Sequence, residues 1–157
     1  MEIRNVRSED YLPIISVVDD WWGGRSMADM LPKLFFDHFQ STSFIMEDSG
    51  EVAAFLIGFV SQSKTEEAYI HFVGVNPSFR KTGLGAKLYH HFFSKVKELQ
   101  CDKVCCVTSP INKNSISFHT ALGFEIEPSE TKQDGVYIHK NYDGKGSDRV
   151  LFYKKLD

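Results

Sequence analysis

Seven consecutive residues, Arg80-Lys81-Thr82-Gly83-Leu84-Gly85-Ala86, set two cations just ahead of two alternate glycines. Upstream, Val73-Gly74-Val75-Asn76-Pro77 reads as a strand running out at a proline; downstream, apolar residues recur at helical spacing. A strand feeding a cationic turn and then a helix start suits an anion. The first turn of a helix has N–H groups without intrahelical partners, and the helix dipole favours negative charge there. Glycines at 83 and 85 let a pyrophosphate approach the backbone. Two other phosphate patterns fail. The P-loop has no match, and the dinucleotide pattern G-x-G-x-x-G needs glycine where Leu88 stands.

The elements that must position this turn follow from periodicity and punctuation. Glu2–Val6 is expected as a short strand, and Ser8 followed by Glu9 and Asp10 starts a helix that runs to about Trp21 and stops at Gly23-Gly24. A second helix is expected over Met27–Phe39, with Leu31, Leu34, Phe35 and Phe39 near helical spacing. Ser43–Glu47 and Val52–Ser61 form a hairpin across Asp48-Ser49-Gly50, and Ala68–Val75 is the next strand. Gly83–Leu99 is a long helix with Leu84, Leu88, Phe92, Val96 and Leu99 on one face. Then come a buried strand at Lys103–Thr108, a short helix at Ser115–Leu122 ended by Gly123, and a strand at Phe124–Ile126. Residues 128–148 form a polar connection with a short strand at Val136–His139, before a last strand at Val150–Lys155. This order predicts one α/β domain over residues 1–157: a mixed, mostly antiparallel central sheet with helices on both faces.

The bulk properties narrow the function. With 18 basic against 21 acidic residues the net charge is −3, which argues against the basic surface that nucleic acid needs, so no nucleic-acid partner is expected. No apolar run is long enough for a bilayer, and MEIRNVRSED lacks the core of a signal peptide, so the expected location is cytoplasmic, with no membrane partner. The odd set Cys101, Cys105 and Cys106 argues against a disulfide framework. Its C-x3-C-C spacing matches no zinc pattern, so no metal site is expected, and buried strand thiols are the simpler reading.

The R-x-x-G-x-G of Arg80–Gly85 resembles the coenzyme A motif of the GNAT superfamily of N-acetyltransferases. The lead-in Val75-Asn76-Pro77 agrees, and Asn112-Lys113-Asn114-Ser115-Ile116-Ser117-Phe118-His119-Thr120-Ala121-Leu122-Gly123-Phe124 resembles the superfamily's second signature. Two motifs in the right order, within a matching element pattern from Glu2 to Lys155, carry the resemblance. It implies that acetyl-CoA lies between the strands Ala68–Val75 and Lys103–Thr108. Backbone at Val73, Gly74 and Val75 would align the thioester, and residues Arg80, Lys81, Thr82, Gly83, Leu84, Gly85 and Ala86 would hold the pyrophosphate. Asn112 and Ser115 would add contacts from the second signature. Dimers are common in the superfamily, so a homodimer is compatible with the resemblance.

Acetyl transfer to an amine requires a base for the ammonium, a donor for the developing oxyanion and an acid for the thiolate. His71 alternates with Tyr69, Val73 and Val75 along one strand. Many superfamily members have glutamate at this place, whereas arylalkylamine acetyltransferases have histidine, which implies a base. A histidine bonded within the sheet, or positioning water, is the alternative. His119 stands where many relatives have an acidic tyrosine; imidazolium can donate a proton, and a packing histidine is the competing account. The implied acceptor is a small-molecule primary amine. Trp21, Trp22, Arg25 and Phe36, with Tyr142 and Arg149 from the late connection, would line its pocket. Core packing for a tryptophan, and a solvated loop at 139–149, are the plainer accounts. A non-catalytic acyl-CoA sensor and a protein N-acetyltransferase are the other functions compatible with these motifs.

Overall fold

The computed structural model describes residues 1–157. The chain forms two compact units, one of residues 1–60 with 70–100, the other of residues 61–69 with 101–157. Seven strands, β1 (Ile3–Asn5), β2 (Phe44–Asp48), β3 (Glu51–Val60), β4 (Glu67–Val75), β5 (Lys103–Thr108), β9 (Val150–Lys155) and β6 (Glu125–Ile126), neighbour one another in that order, and β7 (Thr131–Gln133) and β8 (Val136–Ile138) form a separate hairpin. The recorded ladders are antiparallel except that between β4 and β5. The architecture is therefore the expected mixed, mostly antiparallel α/β sheet.

In the first unit β1 (Ile3–Asn5), β2 (Phe44–Asp48) and β3 (Glu51–Val60) pair in sequence. Side chains paired across a ladder share a face, so the register Ile45↔Phe55 places both on one side and Phe44↔Leu56 places both on the other. Ile45, Phe55 and Ile57 join Phe72 of β4 (Glu67–Val75) in a core with Val6, Ile14, Val18, Trp21, Leu31 and Phe36. Those last residues come mostly from the short helices α1 (Tyr11–Ile15), α2 (Val18–Trp21) and α3 (Leu34–His38). Against β3 packs α4 (Leu84–Glu98), which buries Leu84, Leu88, Phe92 and Val96; its His91 meets Phe44 edge-on at 4.6 Å. Each such side chain contributes about 1.5–3 kcal/mol of burial.

The two long early helices expected from periodicity are broken. Ser8–Asp10 is a 3-10 turn; α1 ends at Ile15, and α2 resumes at Val18. Ser16 Oγ donates to the Pro13 carbonyl at 2.9 Å, while the Val17 N–H turns to Ile14 instead. Met27–Phe39 divides into a 3-10 turn Ala28–Met30 and α3, because Pro32 has no N–H and drives Leu31 out of the helical region, to φ −131° and ψ 63°. The strands expected at Lys103–Thr108 and Val150–Lys155 have the expected limits, and the other boundaries shift by one or two residues.

In the second unit the start of β4 pairs in parallel with β5 (Lys103–Thr108) at Glu67↔Lys103, Ala68↔Val104 and Tyr69↔Cys105. The ladder ends there, although β4 runs on to Val75. β9 pairs with β5 and with β6 (Glu125–Ile126), and α5 (Lys113–Ala121) precedes β6. The connection at 128–148 holds more order than periodicity suggests: β7 (Thr131–Gln133) and β8 (Val136–Ile138) form a hairpin on an Asp134-Gly135 turn. Cys101 and Cys106 are buried, and burial pushes the half-buried Cys105 thiol up to about 11.

Candidate active site

Helix α4 opens on Gly83, which has φ +81° and makes no side-chain cap. A Cβ at this position would meet nothing within 4 Å, so the glycine serves the backbone angle and leaves open space in front of the helix. No acidic residue occupies the first turn of α4. The N–H groups of that turn, the dipole behind them and the uncrowded glycine suit a diphosphate. Lys81 precedes it with φ 64°, and the Thr82 hydroxyl closes the turn onto the Phe79 carbonyl. Arg80 donates to the Trp21 carbonyl oxygen at 2.5 Å, tying the turn to the end of α2.

Gly74, expected near the thioester, has a packing reason to be glycine. A Cβ there would stand 2.5 Å from Phe55 Cε1 and 3.2 Å from the Trp22 ring. Phe55 and Phe72 stack at 5.8 Å and Trp22 meets Phe72 at 5.1 Å, so this strand position accommodates aromatic side chains.

His71 is held from two sides. Its ring stacks on Phe35 at 4.3 Å and 11°, and its Nε2 lies 2.5 Å from the Met30 carbonyl oxygen. A carbonyl only accepts, so Nε2 carries the proton and the neutral ring has its lone pair on Nδ1. Burial lowers the His71 pKa below the usual 6.5, partly offset by the Met30 carbonyl. The imidazole is therefore neutral at neutral pH, the state a base requires. Sequence reasoning missed Met30, since a main-chain carbonyl has no residue signature; Pro32, which ends the turn, was the available clue.

Of the other acceptor-side residues in this unit, Phe36 is 0% exposed, edge-on to Tyr11 in the core. It is a packing residue and not a pocket wall, because its position on α3 points at the sheet. Trp21 is likewise buried against Phe55, while Trp22 is only partly covered. Arg25 is exposed.

The second unit holds the remaining candidates. His119 is 7% exposed and stacks on Phe152 at 4.6 Å, with Phe124 edge-on at 5.2 Å. Its Nδ1 donates to the Ser115 carbonyl at 2.7 Å, and Ser115 Oγ lies 3.2 Å from the same nitrogen. Burial lowers its pKa too, which favours the neutral ring. Asn112 Oδ1 accepts from the Ser115 N–H at 3.1 Å, so Asn112 caps α5 and Ser115 supplies the amide it caps. Tyr142 is 49% exposed beside His139. Arg149 pairs with Asp143 at 2.8 Å and donates to the Asp148 carbonyl. The 139–149 segment is bonded to itself through Asn141, Ser147 and Asp148, more tightly than a solvated loop requires.

Comparison with known proteins adds three findings. Residues 3–124 match the model of the acetyltransferase (GNAT) family. The chain is 25% identical, over 121 residues, to the L-2,4-diaminobutyric acid acetyltransferase of Virgibacillus pantothenticus, covering 77% of this chain and 76% of that protein. Among solved structures, Ard1 from Thermoplasma volcanium superposes with a TM-score of 0.78 at 20% identity, covering 99% of this chain and 97% of the other. The diaminobutyrate acetyltransferase from Paenibacillus lautus, solved with L-2,4-diaminobutyric acid and coenzyme A, gives 0.68 at 19%, over 97% and 92%. At these identities the two structures report a shared fold.

Proposed function

As this chain belongs to the acetyltransferase (GNAT) family, and so to the acyl-CoA-dependent acyltransferases, we propose that it moves the acetyl group of acetyl-CoA to the primary amine of a small molecule. Residues 1–157 act as one N-acetyltransferase domain in this reading. The observation that carries it is the start of α4: a left-handed Gly83, no capping side chain and no acidic residue in the first turn. The similarity to a diaminobutyric acid acetyltransferase supports the small-molecule acceptor.

Acetyl-CoA supplies an acetyl group activated as a thioester. This chain's own residues bind and align it. Main-chain N–H groups over residues 82–86, with Arg80 and Lys81, hold the diphosphate, and the backbone of Val73 and Val75 orients the pantetheine arm. A main-chain N–H near Val73 faces the developing oxyanion. His71 Nδ1 takes a proton from the incoming ammonium, so that the amine lone pair attacks the acetyl carbon directly in a ternary complex. The C–S bond then breaks, the nitrogen gives up its second proton to solvent to become the amide, and the departing thiolate takes a proton from solvent. His119, neutral and stacked on Phe152, is assigned to packing. Trp22 and Arg25 from the first unit, and Tyr142 and Arg149 from the second, are the residues to test for acceptor binding.

The test is calorimetric titration with coenzyme A and acetyl-CoA, followed by free-thiol release on an amine panel that includes L-2,4-diaminobutyric acid. Saturable binding plus thiol release on a small amine is expected. No binding heat overturns the reading; binding without turnover on any amine makes the chain a non-catalytic sensor. Turnover on peptide amines alone makes it a protein acetyltransferase.

A further inference from the structure

The Met30 carbonyl that meets His71 belongs to a 3-10 turn with few bonds of its own, Met30 N–H to Met27 and Leu31 N–H to Ala28. Pro32 prevents the turn from continuing as a helix, so no downstream helical N–H is required to occupy that carbonyl. Something else must hold the turn in place. Asp19 Oδ1, on α2, accepts from the N–H of Met27 at 2.7 Å and of Ala28 at 2.9 Å, the two amides that open the turn. The main-chain carbonyl of the same Asp19 accepts from Gly24 at 2.8 Å, which fixes the reversal after α2. One residue thus anchors both ends of the 24–27 crossing. It caps the turn from outside, doing for Ala28–Met30 what an N-cap does for a helix.

We propose that Asp19 is a positioning residue: its carboxylate holds the Ala28–Met30 turn so that the Met30 carbonyl takes the Nε2 proton of His71 and leaves Nδ1 to receive the proton of the amine. This deepens the proposed function and rests on its assignment of His71 as base. The logic is that of an orienting partner that sets tautomer and ring direction without itself exchanging a proton. The charged groups on the elements around His71 are Asp29 in the turn, Lys33 just before α3, and Asp37 with His38 on it. Lys33 and Asp37 pair with each other at 2.8 Å, and only burial and the Met30 carbonyl shift His71. The ring therefore takes its direction from a main-chain dipole, and that dipole from Asp19.

The wild-type protein alone can refute this. In a 15N correlation spectrum of the histidine rings at about pH 8, where the neutral ring dominates, the His71 proton is expected on Nε2. A proton found on Nδ1 overturns the proposal without any variant. Asp19→Ala is expected to mix the two tautomers and lower kcat by about tenfold to a hundredfold, with the KM for acetyl-CoA unchanged. Asp19→Asn keeps an oxygen acceptor and is expected to restore both readouts. An Asp19→Ala protein with the wild-type tautomer, or with a mixed tautomer and unaltered kcat, overturns the positioning role. Should Asp19→Ala not fold, Asp19→Glu takes its place: the displaced carboxylate is expected to mix the tautomers, and an unchanged spectrum counts against the proposal. Failure of the base assignment shows separately, as full activity in His71→Ala beside an Asp19-dependent tautomer in the spectra.

Discussion

The Arg80 guanidinium donates to the main-chain carbonyl of Trp21, 59 residues away in sequence. The side chain expected to meet a phosphate is thus already oriented by the end of α2, with one donor spent and others left in its fork. Arg80→Ala is expected to weaken coenzyme A binding about tenfold to a hundredfold, the worth of a charged hydrogen bond. Arg80→Lys should recover only part, since a single ammonium cannot match the planar fork. Calorimetry on both variants checks this; equal affinity in Arg80→Ala removes Arg80 from the site.

With His71 as the proposed base, the acid side of the pH dependence is expected to follow its titration. Burial depresses its pKa, so the base form is complete at neutral pH and is lost only as pH falls through a value below 6.5. The acid limb of kcat, measured with amine and acetyl-CoA saturating, is expected below the ordinary histidine range. His71→Ala should lower kcat by about a hundredfold or more and abolish that limb. A limb that persists in His71→Ala belongs to another group.

The same depression, shared by His119, links stability to pH. A group whose folded pKa lies below its unfolded value binds more protons when unfolded, so the folded state loses ground as pH falls. The contribution of both rings is complete above about pH 6.5, the unfolded value, and is lost as pH falls through the folded one. Urea midpoints measured on either side of that range should fall toward acid, and His119→Phe should flatten the slope. Because Phe can keep the stack on Phe152, turnover in His119→Phe is expected within a few-fold of wild type. A drop in turnover far beyond any change in acetyl-CoA affinity would return His119 to the chemistry as an acid.

Gly74 is a packing requirement. Gly74→Ala must displace the Phe55 ring, which stands 2.5 Å from the added carbon, and is expected to cost about 1–3 kcal/mol. Denaturant unfolding reads this directly, and wild-type stability in Gly74→Ala would show that the aromatic cluster gives way easily.

How much of this could be read beforehand depends on the range of the interaction. The hairpin at Asp48-Ser49-Gly50, the amphipathic α4 and the alternating β9 carry local signals, and all three form. The glycine-led start of α4 was equally legible, since a left-handed residue before a helix needs glycine. The breaks at Ser16 and Pro32 were harder, because apolar spacing continues across both while one hydroxyl and one missing N–H interrupt the ladder. β7 was overlooked despite its Asp134-Gly135 turn, as three polar residues show no periodicity. The Met30–His71 contact spans 41 residues and uses a main-chain atom, so residue types could not announce it. The resemblance places Phe36 on the acceptor side through its position in the early helices, and only its full burial in the folded chain shows that it is core.

The thiols of the second unit have one more effect. A protein that handles acyl thioesters risks being acylated by its own cosubstrate wherever it offers a thiolate. Cys101 and Cys106 are enclosed, and burial raises the Cys105 thiol to about 11, which keeps it protonated at neutral pH. The three thiols are thus expected to resist acylation by the cosubstrate, and bulky alkylating reagents should leave the folded chain intact until it unfolds.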